Sequence, residues 1–306
     1  MIIELTKDIK VFRPQAKSMF PYCNTMFIDD DIKVIIDPGA GGRAYQSIDY
    51  ETIDIVLLSH YHFDHVHGVS FFKNARILAA DEEKEAYEDK ESYLHFLGYS
   101  RWEELMGKPN RVGTYASKSK MPDDIPVRPG SQDIKLTAVF KDGDVMVSGR
   151  NKIISVHTPG HSRGHYAFYI EKEGIMFSGD IDISPRGPWY GGEYADIDQY
   201  ISSIKRIIEI KPMILVSAHR RVFYDNIAPL LDIFMGKIIK KEESILNYLN
   251  QPRTLNDIAS QDFTHDFPQV NEHLIFWTKM MIVKHLQRLI KFGLIEEIEE
   301  KLYMRR

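Results

Sequence analysis

The first half of the chain consists of short apolar segments separated by turn residues. Residues 26–37 have the pattern of two strands around an Asp-Asp-Asp turn, and residues 53–59 form a mainly apolar run, typical of a strand buried on both faces. Further strands are predicted over residues 75–80, 134–140, 145–147, 153–157, 166–170, 175–178 and 213–217, and helices over residues 86–106 and 196–210. Strands with helices between them, without strict strand–helix alternation, favour an α/β sandwich of two sheets with helices outside.

The pattern changes after Phe234. Residues 237–250, 254–260 and 272–292 have helical spacing, and residues 294–304 can form a short hairpin. The order helix, helix, long helix and hairpin is typical of a winged helix. We therefore predict two domains, a large one of residues 1–236 and a small winged-helix-like one of residues 237–306.

A cluster of metal-ligand residue types follows the apolar run directly. His60, His62, Asp64 and His65 lie within six positions of one another. Alternate side chains of an extended segment share a face, so His60 and His62 can point at one ion. A bend toward a helix then turns Asp64 and His65 toward a neighbouring point. Imidazole and carboxylate ligands favour zinc, with iron and manganese as alternatives.

Three more ligand-type residues lie where later predicted strands end. His161 follows a Thr-Pro-Gly turn, Asp180 ends the segment Phe-Ser-Gly-Asp, and His219 ends the segment Val-Ser-Ala-His. Ligand sites of open α/β sheets lie at the ends of strands, so we expect these side chains to meet the first cluster.

The complete series resembles the metal-binding set of the metallo-β-lactamase superfamily, over residues 1 to about 236. The resemblance implies a four-layer αβ/βα sandwich that holds two divalent metal ions. It assigns His60, His62 and His161 to one ion, Asp64, His65 and His219 to the other, and Asp180 to a bridge between them. Asp37, in an Asp-Pro-Gly segment that matches a weaker motif of the family, is expected to orient a ligand.

Variations in the motifs limit the subfamilies that this chain can resemble. Flavodiiron proteins have a glutamate where this chain has His62, which disfavours oxygen reduction, and true β-lactamases have Cys or His where Asp180 stands. The C-terminal module resembles that of beta-lactamase-like protein 2, an endoribonuclease of single-stranded RNA, and its bacterial relatives. The family has Gly after the last histidine, whereas this chain has Arg220 and Arg221.

Two adjacent cations would lower the pKa of a shared water and supply hydroxide near neutral pH. That hydroxide would attack an ester, a thioester, a lactone or a phosphodiester. Asp64 is the candidate proton acceptor, because it would be a ligand beside the water. Its alternative role is metal ligation alone.

Residues near the motifs suggest the substrate class. Four arginines, Arg163, Arg186, Arg220 and Arg221, follow metal-ligand positions, and guanidinium groups bind phosphate and carboxylate well. We therefore expect a small anionic substrate; the alternative is that these arginines face solvent or pair with nearby acids. Three further residues are candidates for substrate contact, with ordinary packing as the alternative: His165, Trp189 and Tyr190.

Three enzyme classes remain open at this point. The favoured class is a metal-dependent hydrolase of an anionic ester, thioester or lactone. The second is an endoribonuclease, which makes RNA an alternative partner, and the third is a mononuclear iron dioxygenase of a thiol adduct. Glutamates at positions 296, 297, 299 and 300 crowd the wing of the C-terminal module, so we expect that module to wall the cleft or to form a homodimer contact rather than to read DNA.

Composition adds limits to these hypotheses. A formal net charge of −5 gives no general attraction to nucleic acid or to an anionic membrane. A single cysteine, Cys23, excludes an intramolecular disulfide framework. The first residues lack the pattern of a signal peptide, and no apolar run reaches membrane-spanning length. We therefore expect a cytoplasmic enzyme with no membrane partner.

Overall fold

Two β-sheets face each other at the centre of the molecule. The computed structural model describes residues 1–109, 121–130, 133–261, 263 and 271–306. The first sheet keeps sequence order, with antiparallel pairing from β1 to β4 and parallel pairing from β4 to β7. Its strands are β1 (Ile2–Glu4), β2 (Ile9–Phe12), β3 (Thr25–Asp29), β4 (Lys33–Ile36), β5 (Ile55–Leu57), β6 (Arg76–Ala80) and β7 (Ala138–Phe140).

The second sheet has the spatial order β13-β12-β11-β10-β9-β8. Its strands are β8 (Val145–Ser148), β9 (Asn151–His157), β10 (Tyr166–Ile170), β11 (Ile175–Phe177), β12 (Ile214–Val216) and β13 (Val222–Phe223). β10 is antiparallel to both β9 and β11, and β11 is parallel to β12. The strands β9, β11 and β12 therefore run in one direction, and their carboxyl ends lie on one side of the sheet.

Apolar side chains from the inner faces of both sheets form the central core, which includes Val34, Leu57, Phe168 and Phe177. The helices α2 (Lys84–Glu88) and α3 (Lys90–Phe96) pack on the outer face of the first sheet. The helices α5 (Ile197–Ile210) and α6 (Ile227–Tyr248) pack on the outer face of the second. Helix, sheet, sheet and helix make four layers, which confirms the predicted sandwich.

The single helix predicted over residues 86–106 is wrong. The structure has α2 and α3 there, followed by α4 (Trp102–Met106). Asp89 interrupts the first two helices because it caps α3, with its side chain accepting a hydrogen bond from the Ser92 amide at 2.7 Å. Gly98, at a φ of 86°, turns the chain before α4. Among the described residues, no helix combines the length and apolar character needed to cross a membrane.

The C-terminal elements follow the predicted order. After α6 come β14 (Arg253–Thr254), α7 (Leu255–Ala259), α8 (Glu272–Lys291), β15 (Ile295–Glu299) and β16 (Leu302–Arg305). The three strands form a small sheet in the order β14-β16-β15. The helix α6 is continuous across residues 236 and 237, so the predicted domain boundary falls inside a helix. The division into two domains and the winged-helix assignment stay predictions.

Candidate metal centre and cavity

Each predicted ligand lies just beyond the end of a strand. His60 and His62 follow β5, and the short helix α1 (Phe63–Val66) carries Asp64 and His65. The turns after β9, β11 and β12 carry His161, Asp180 and His219. The two sheets are joined at this point, because the Tyr166 amide donates a hydrogen bond to the Ser59 carbonyl at 2.9 Å.

Three histidine nitrogens converge in the first group of the centre. The Nδ1 atom of His62 lies 2.9 Å from Nε2 of His60 and 2.9 Å from Nε2 of His161. The Nε2 atoms of His60 and His161 are 3.2 Å apart. The Oδ2 atom of Asp180 completes the group, 3.1 Å from Nε2 of His161.

A second group lies on the other side of the Asp180 carboxylate. The Oδ1 atom of Asp180 is 3.0 Å from Nε2 of His65 and 3.1 Å from Nε2 of His219. Asp64 also faces His219, at 3.4 Å between Oδ2 and Nε2. The two oxygens of Asp180 therefore face different groups, which is the arrangement that a bridging carboxylate requires.

The hydrogen bonds around the centre leave lone pairs directed inward. Nδ1 of His161 donates to the Trp189 carbonyl at 2.9 Å, and Nδ1 of His65 donates to Oδ2 of Asp37 at 2.6 Å. The Nε2 atom of each ring is then an acceptor. Bare nitrogens and carboxylates packed in a buried site repel one another unless a cation lies between them. The residues thus fit divalent metal ions, and their nitrogen and oxygen donors suit zinc.

The pKa shifts within the centre also favour bound cations. Burial, and then the neighbouring histidines, hold the pKa of His60 and of His62 well below the ordinary value. Burial also opposes protonation of His219, but the carboxylates of Asp180 and Asp64 outweigh it and raise the pKa to about 9. The first group is therefore kept as neutral imidazoles, and the second strongly attracts positive charge.

Two hydrogen bonds fix the turn that carries Asp180. Nε2 of His165 accepts from the Asp180 amide at 3.0 Å, and the Tyr200 hydroxyl donates to the Asp180 carbonyl at 2.8 Å. His165 is fully buried, and burial lowers its pKa to about 3. The prediction that His165 contacts substrate is corrected by this position, because its ring holds the Asp180 loop instead.

A cavity of about 460 Å³ opens beside the centre. Its polar end includes His62, Asp64, His161, Asp180, Asp182, Ser184, Arg186, His219 and Arg220. Its apolar wall includes Met19, Phe20, Phe63, Tyr93, Leu94, Leu97, Tyr99, Trp189, Leu274 and Trp277. The Trp189 ring connects the two parts, with centroids 5.2 Å from His62 and 6.2 Å from Trp277.

Three residues predicted to bind substrate line this cavity: Arg186, Trp189 and Arg220. Three others do not, and their positions correct the prediction. The Cζ atom of Arg163 lies 4.5 Å from the centroid of the Phe96 ring and 4.4 Å from that of the Tyr194 ring, so its guanidinium group stacks on both. Tyr190 is fully buried, with its hydroxyl 2.7 Å from Nε2 of His285. Arg221 turns outward and lies over the Phe223 ring.

The C-terminal module is expected from the sequence to wall the cleft or to form a homodimer contact, and Leu274 and Trp277 from that region do line the cavity. Leu94 and Leu97 of the α3 region line the cavity together with Leu274 and Trp277 of α8. Nε1 of Trp277 donates to the Leu97 carbonyl at 3.2 Å, which joins residues 180 positions apart. Leu274 and Trp277 are three residues apart and share a helix face, but the sequence did not show that this face would pack on the α3 region.

Comparisons with known proteins agree with this geometry. The model of the metallo-beta-lactamase superfamily matches residues 19–219. A beta-lactamase-like protein 2 homolog from Drosophila melanogaster is 26% identical over 242 residues, 79% of this chain and 70% of that protein. The acyl-coenzyme A thioesterase MBLAC2 from Gallus gallus is 26% identical over 162 residues, 51% of this chain and 51% of that protein, so the match spans about half its length. The crystal structure of a metallo-beta-lactamase family protein from Thermus thermophilus has a TM-score of 0.76 and 19% identity, over 99% of this chain and 100% of that one.

Proposed function

The chain belongs to the metallo-beta-lactamase superfamily and is a hydrolase, and from that premise we propose that it hydrolyses small anionic acyl thioesters with two divalent metal ions. The thioesterase name of the chicken relative supports this class of substrate. A thioester is among the substrates expected from the sequence. The acyl group and the thiol carrier both belong to the proposal, and octanoyl-coenzyme A represents them in the experiment below.

The observation that carries the proposal is the two-sided character of the cavity. Aromatic and aliphatic side chains wall one part of it, while Arg186 and Arg220 lie at the polar part beside the metal ligands. An apolar wall stabilises a bound acyl chain by about 0.8 kcal/mol for each buried methylene. Guanidinium groups suit the phosphates or carboxylates of a thiol carrier. A thioester of this kind places its reacting carbonyl between the two parts.

The metal ligands form the reacting end of the site. We assign His60, His62 and His161 to one ion, Asp64, His65 and His219 to the other, and Asp180 to both. Divalent ions held by these residues would lower the pKa of a shared water, so that it gives up a proton near neutral pH, and would stabilise negative charge on the carbonyl oxygen. His60 and His65 are fully buried, whereas the other five proposed ligands line the cavity, where a substrate and the water that attacks it can reach them.

Asp64 is the proposed proton carrier. It lines the cavity, and its Oδ2 atom lies 3.4 Å from Nε2 of His219. During attack it takes the proton released by the nucleophilic water, and the bond between the acyl carbon and sulfur then breaks. The same proton passes to the leaving thiolate, so that one water and one thioester give a carboxylic acid and a thiol.

The alternatives from the sequence stay as outcomes of the test. An endoribonuclease would need a basic, open groove for a nucleic-acid strand, whereas this cavity is mainly apolar. A mononuclear iron dioxygenase needs a single set of metal ligands, whereas the two oxygens of Asp180 face two sets of candidate ligands. A cytoplasmic location and a homodimer remain expectations of the sequence.

The experiment is a thiol-release assay on the zinc-loaded protein. Octanoyl-coenzyme A is the thioester, and the comparison substrates are a homoserine lactone, bis-p-nitrophenyl phosphate and labelled single-stranded RNA. We expect thioester hydrolysis to exceed the other activities and to stop after chelation. The Asp64→Asn variant, checked for zinc content, should lose roughly 100-fold or more in turnover. Cleavage of RNA without thiol release would overturn the proposal.

A further inference from the structure

A chain of buried side chains leads from the C-terminal helix α8 toward the metal centre. His285, on α8, is fully buried, and its Nε2 atom lies 2.7 Å from the Tyr190 hydroxyl. Its Nδ1 atom lies 3.4 Å from Oε2 of Glu242, on α6. Arg288 donates a hydrogen bond to the other oxygen of Glu242 and another to Asp198 at 2.7 Å.

The direction of these hydrogen bonds follows from the charges. Burial lowers the pKa of His285, so its ring is neutral and carries one N–H group. Burial opposes ionisation of Glu242, but its hydrogen bonds to His285 and Arg288 lower its pKa and keep it a carboxylate. A carboxylate accepts, so Nδ1 of His285 is the donor to Glu242, and Nε2 accepts the Tyr190 hydroxyl proton.

Tyr190 lies next to a residue that orients a metal ligand. The Trp189 carbonyl accepts the hydrogen bond of His161 Nδ1 at 2.9 Å, and this carbonyl belongs to the peptide that joins Trp189 to Tyr190. Loss of the contact between the Tyr190 hydroxyl and His285 would leave the Tyr190 side chain, and the peptide next to it, less firmly held. The carbonyl fixes both the tautomer and the orientation of the His161 ring.

We propose that Tyr190 and His285 are positioning residues, through which helix α8 holds the His161 ring in the orientation that binds metal. The inference rests on metal binding by His161, as in the proposed function, and is independent of the substrate. It gives the C-terminal region a second contribution to the site, beside the apolar wall formed by Leu274 and Trp277.

The test is zinc affinity, measured by competition with a chromogenic chelator. Tyr190→Phe removes the hydroxyl that donates the hydrogen bond, and His285→Leu removes the ring that accepts it. Direct outer partners of metal ligands contribute roughly 10-fold to 100-fold to metal affinity. Tyr190 and His285 act on His161 only through the Trp189 carbonyl. We therefore expect each variant to lose about fivefold to tenfold in zinc affinity.

A matched control lies on the same helix. His273 has 8% exposure, and its Nδ1 atom is 2.9 Å from the Tyr99 hydroxyl, which repeats the tyrosine–histidine pair away from His161. His273→Leu should change zinc affinity by less than about twofold, although it removes a bond of the same kind. An equal loss in His273→Leu would show that the effect is general destabilisation of α8, and would overturn the proposal.

A double-mutant cycle shows whether the effect passes through His161. In a His161→Ala background, adding Tyr190→Phe should cause no further loss of zinc affinity, because the ring that it positions is gone. A further loss of the same size would contradict the proposal, as would wild-type zinc affinity in both Tyr190→Phe and His285→Gln. If His285→Leu does not fold, the Tyr190→Phe and His285→Gln variants decide the question. Thioester hydrolysis enters none of these measurements, so they can fail or succeed separately from the thioesterase proposal.

Discussion

Asp37 accepts a hydrogen bond from Nδ1 of His65 at 2.6 Å, and neither side chain has exposed surface. The same carboxylate also accepts from the Ser59 amide at 2.7 Å and from the Ser59 hydroxyl at 2.5 Å. Asp37 has a φ of 50°, a left-handed conformation that Asp and Asn tolerate better than most residues. This geometry fits the predicted orienting role of Asp37, because its carboxylate can accept the Nδ1 proton of His65.

Replacing Asp37 with Asn should weaken metal binding more than it unfolds the protein. Asn has a single acceptor oxygen, and if that oxygen keeps the hydrogen bond from the Ser59 amide, its NH2 group faces Nδ1 of His65 and can only donate to it. The ring proton then moves to Nε2, where the lone pair for the metal should be. Asn keeps the size and the left-handed backbone. We expect Asp37→Asn to bind the zinc ion held by His65 roughly 10-fold to 100-fold more weakly, by chelator competition.

Asp30 provides the control for this substitution. It accepts hydrogen bonds from the Arg150 amide at 2.8 Å and the Asn151 side chain at 2.7 Å, away from the metal centre. Asp30→Asn should lower the unfolding temperature without changing zinc affinity. Equal zinc affinity in Asp37→Asn and the wild type would show that Asp37 has no orienting role.

The cluster of candidate metal ligands could be predicted because local sequence encodes much of it. His60, His62, Asp64 and His65 lie together after a buried strand, and the remaining ligands each follow a strand that the apolar pattern marks. Substrate contacts could not be predicted in the same way. Arg163 is two positions from His161, yet the Phe96 and Tyr194 rings, from distant segments, hold it away from the cavity.

Arg220 and Arg221 are neighbours in sequence with different surroundings. Arg220 lines the cavity, whereas Arg221 lies 4.8 Å over the Phe223 ring and is exposed. If Arg220 binds the anionic carrier, Arg220→Gln should raise KM for octanoyl-coenzyme A about threefold to tenfold, with kcat nearly unchanged. Arg221→Gln is the matched control and should leave KM unchanged. The uncharged substrate octanoyl-N-acetylcysteamine should not distinguish Arg220→Gln from the wild type; a loss there would contradict a charge-based role.

Trp277 should influence which acyl chains are accepted. Its ring lies in the apolar wall, 6.2 Å from Trp189 and 5.9 Å from Tyr99 between ring centroids. Trp277→Ala removes contacts with a medium chain and opens space for a longer one. We expect kcat/KM for octanoyl-coenzyme A to fall roughly 10-fold and the ratio of palmitoyl to octanoyl activity to rise. Phe292→Ala, at the exposed end of the same helix, should leave the chain-length profile unchanged.

Glu83 makes stability depend on pH. It is fully buried and accepts hydrogen bonds from the Tyr61 amide at 3.2 Å and the Gly164 amide at 2.9 Å. Burial raises its pKa from 4.5 to about 7, although these amides favour the carboxylate. Between these two values the folded protein binds more protons at Glu83 than the unfolded chain does. The contribution of Glu83 to stability therefore falls as pH rises from 4.5 to 7.

The Glu83→Gln variant should lose this pH dependence. Gln cannot accept from both amides, and this loss of hydrogen bonding lowers the unfolding free energy of the variant by roughly 1–3 kcal/mol, an amount that does not itself change with pH. Against that constant offset, the wild type should lose about 3 kcal/mol relative to the variant between pH 4.5 and pH 7. Urea unfolding at several pH values measures the difference. Parallel stability curves for the two proteins would show that the pKa of Glu83 is not raised.

Asp180 and His62 should differ in how many metal ions their loss removes. Asp180 presents Oδ2 to His161 at 3.1 Å and Oδ1 to His65 at 3.0 Å, whereas His62 contacts the first group through Nδ1. Asp180→Ala should therefore deplete both zinc ions, and His62→Ala should deplete one and leave the other. Metal analysis after dialysis against a weak chelator measures the stoichiometry.

Because bound ligand stabilises the folded state, zinc should raise the unfolding temperature most in the wild type, less in His62→Ala and least in Asp180→Ala. If Asp180→Ala retained one full equivalent of zinc, its carboxylate would belong to a single ion, and the bridged two-metal centre would be wrong.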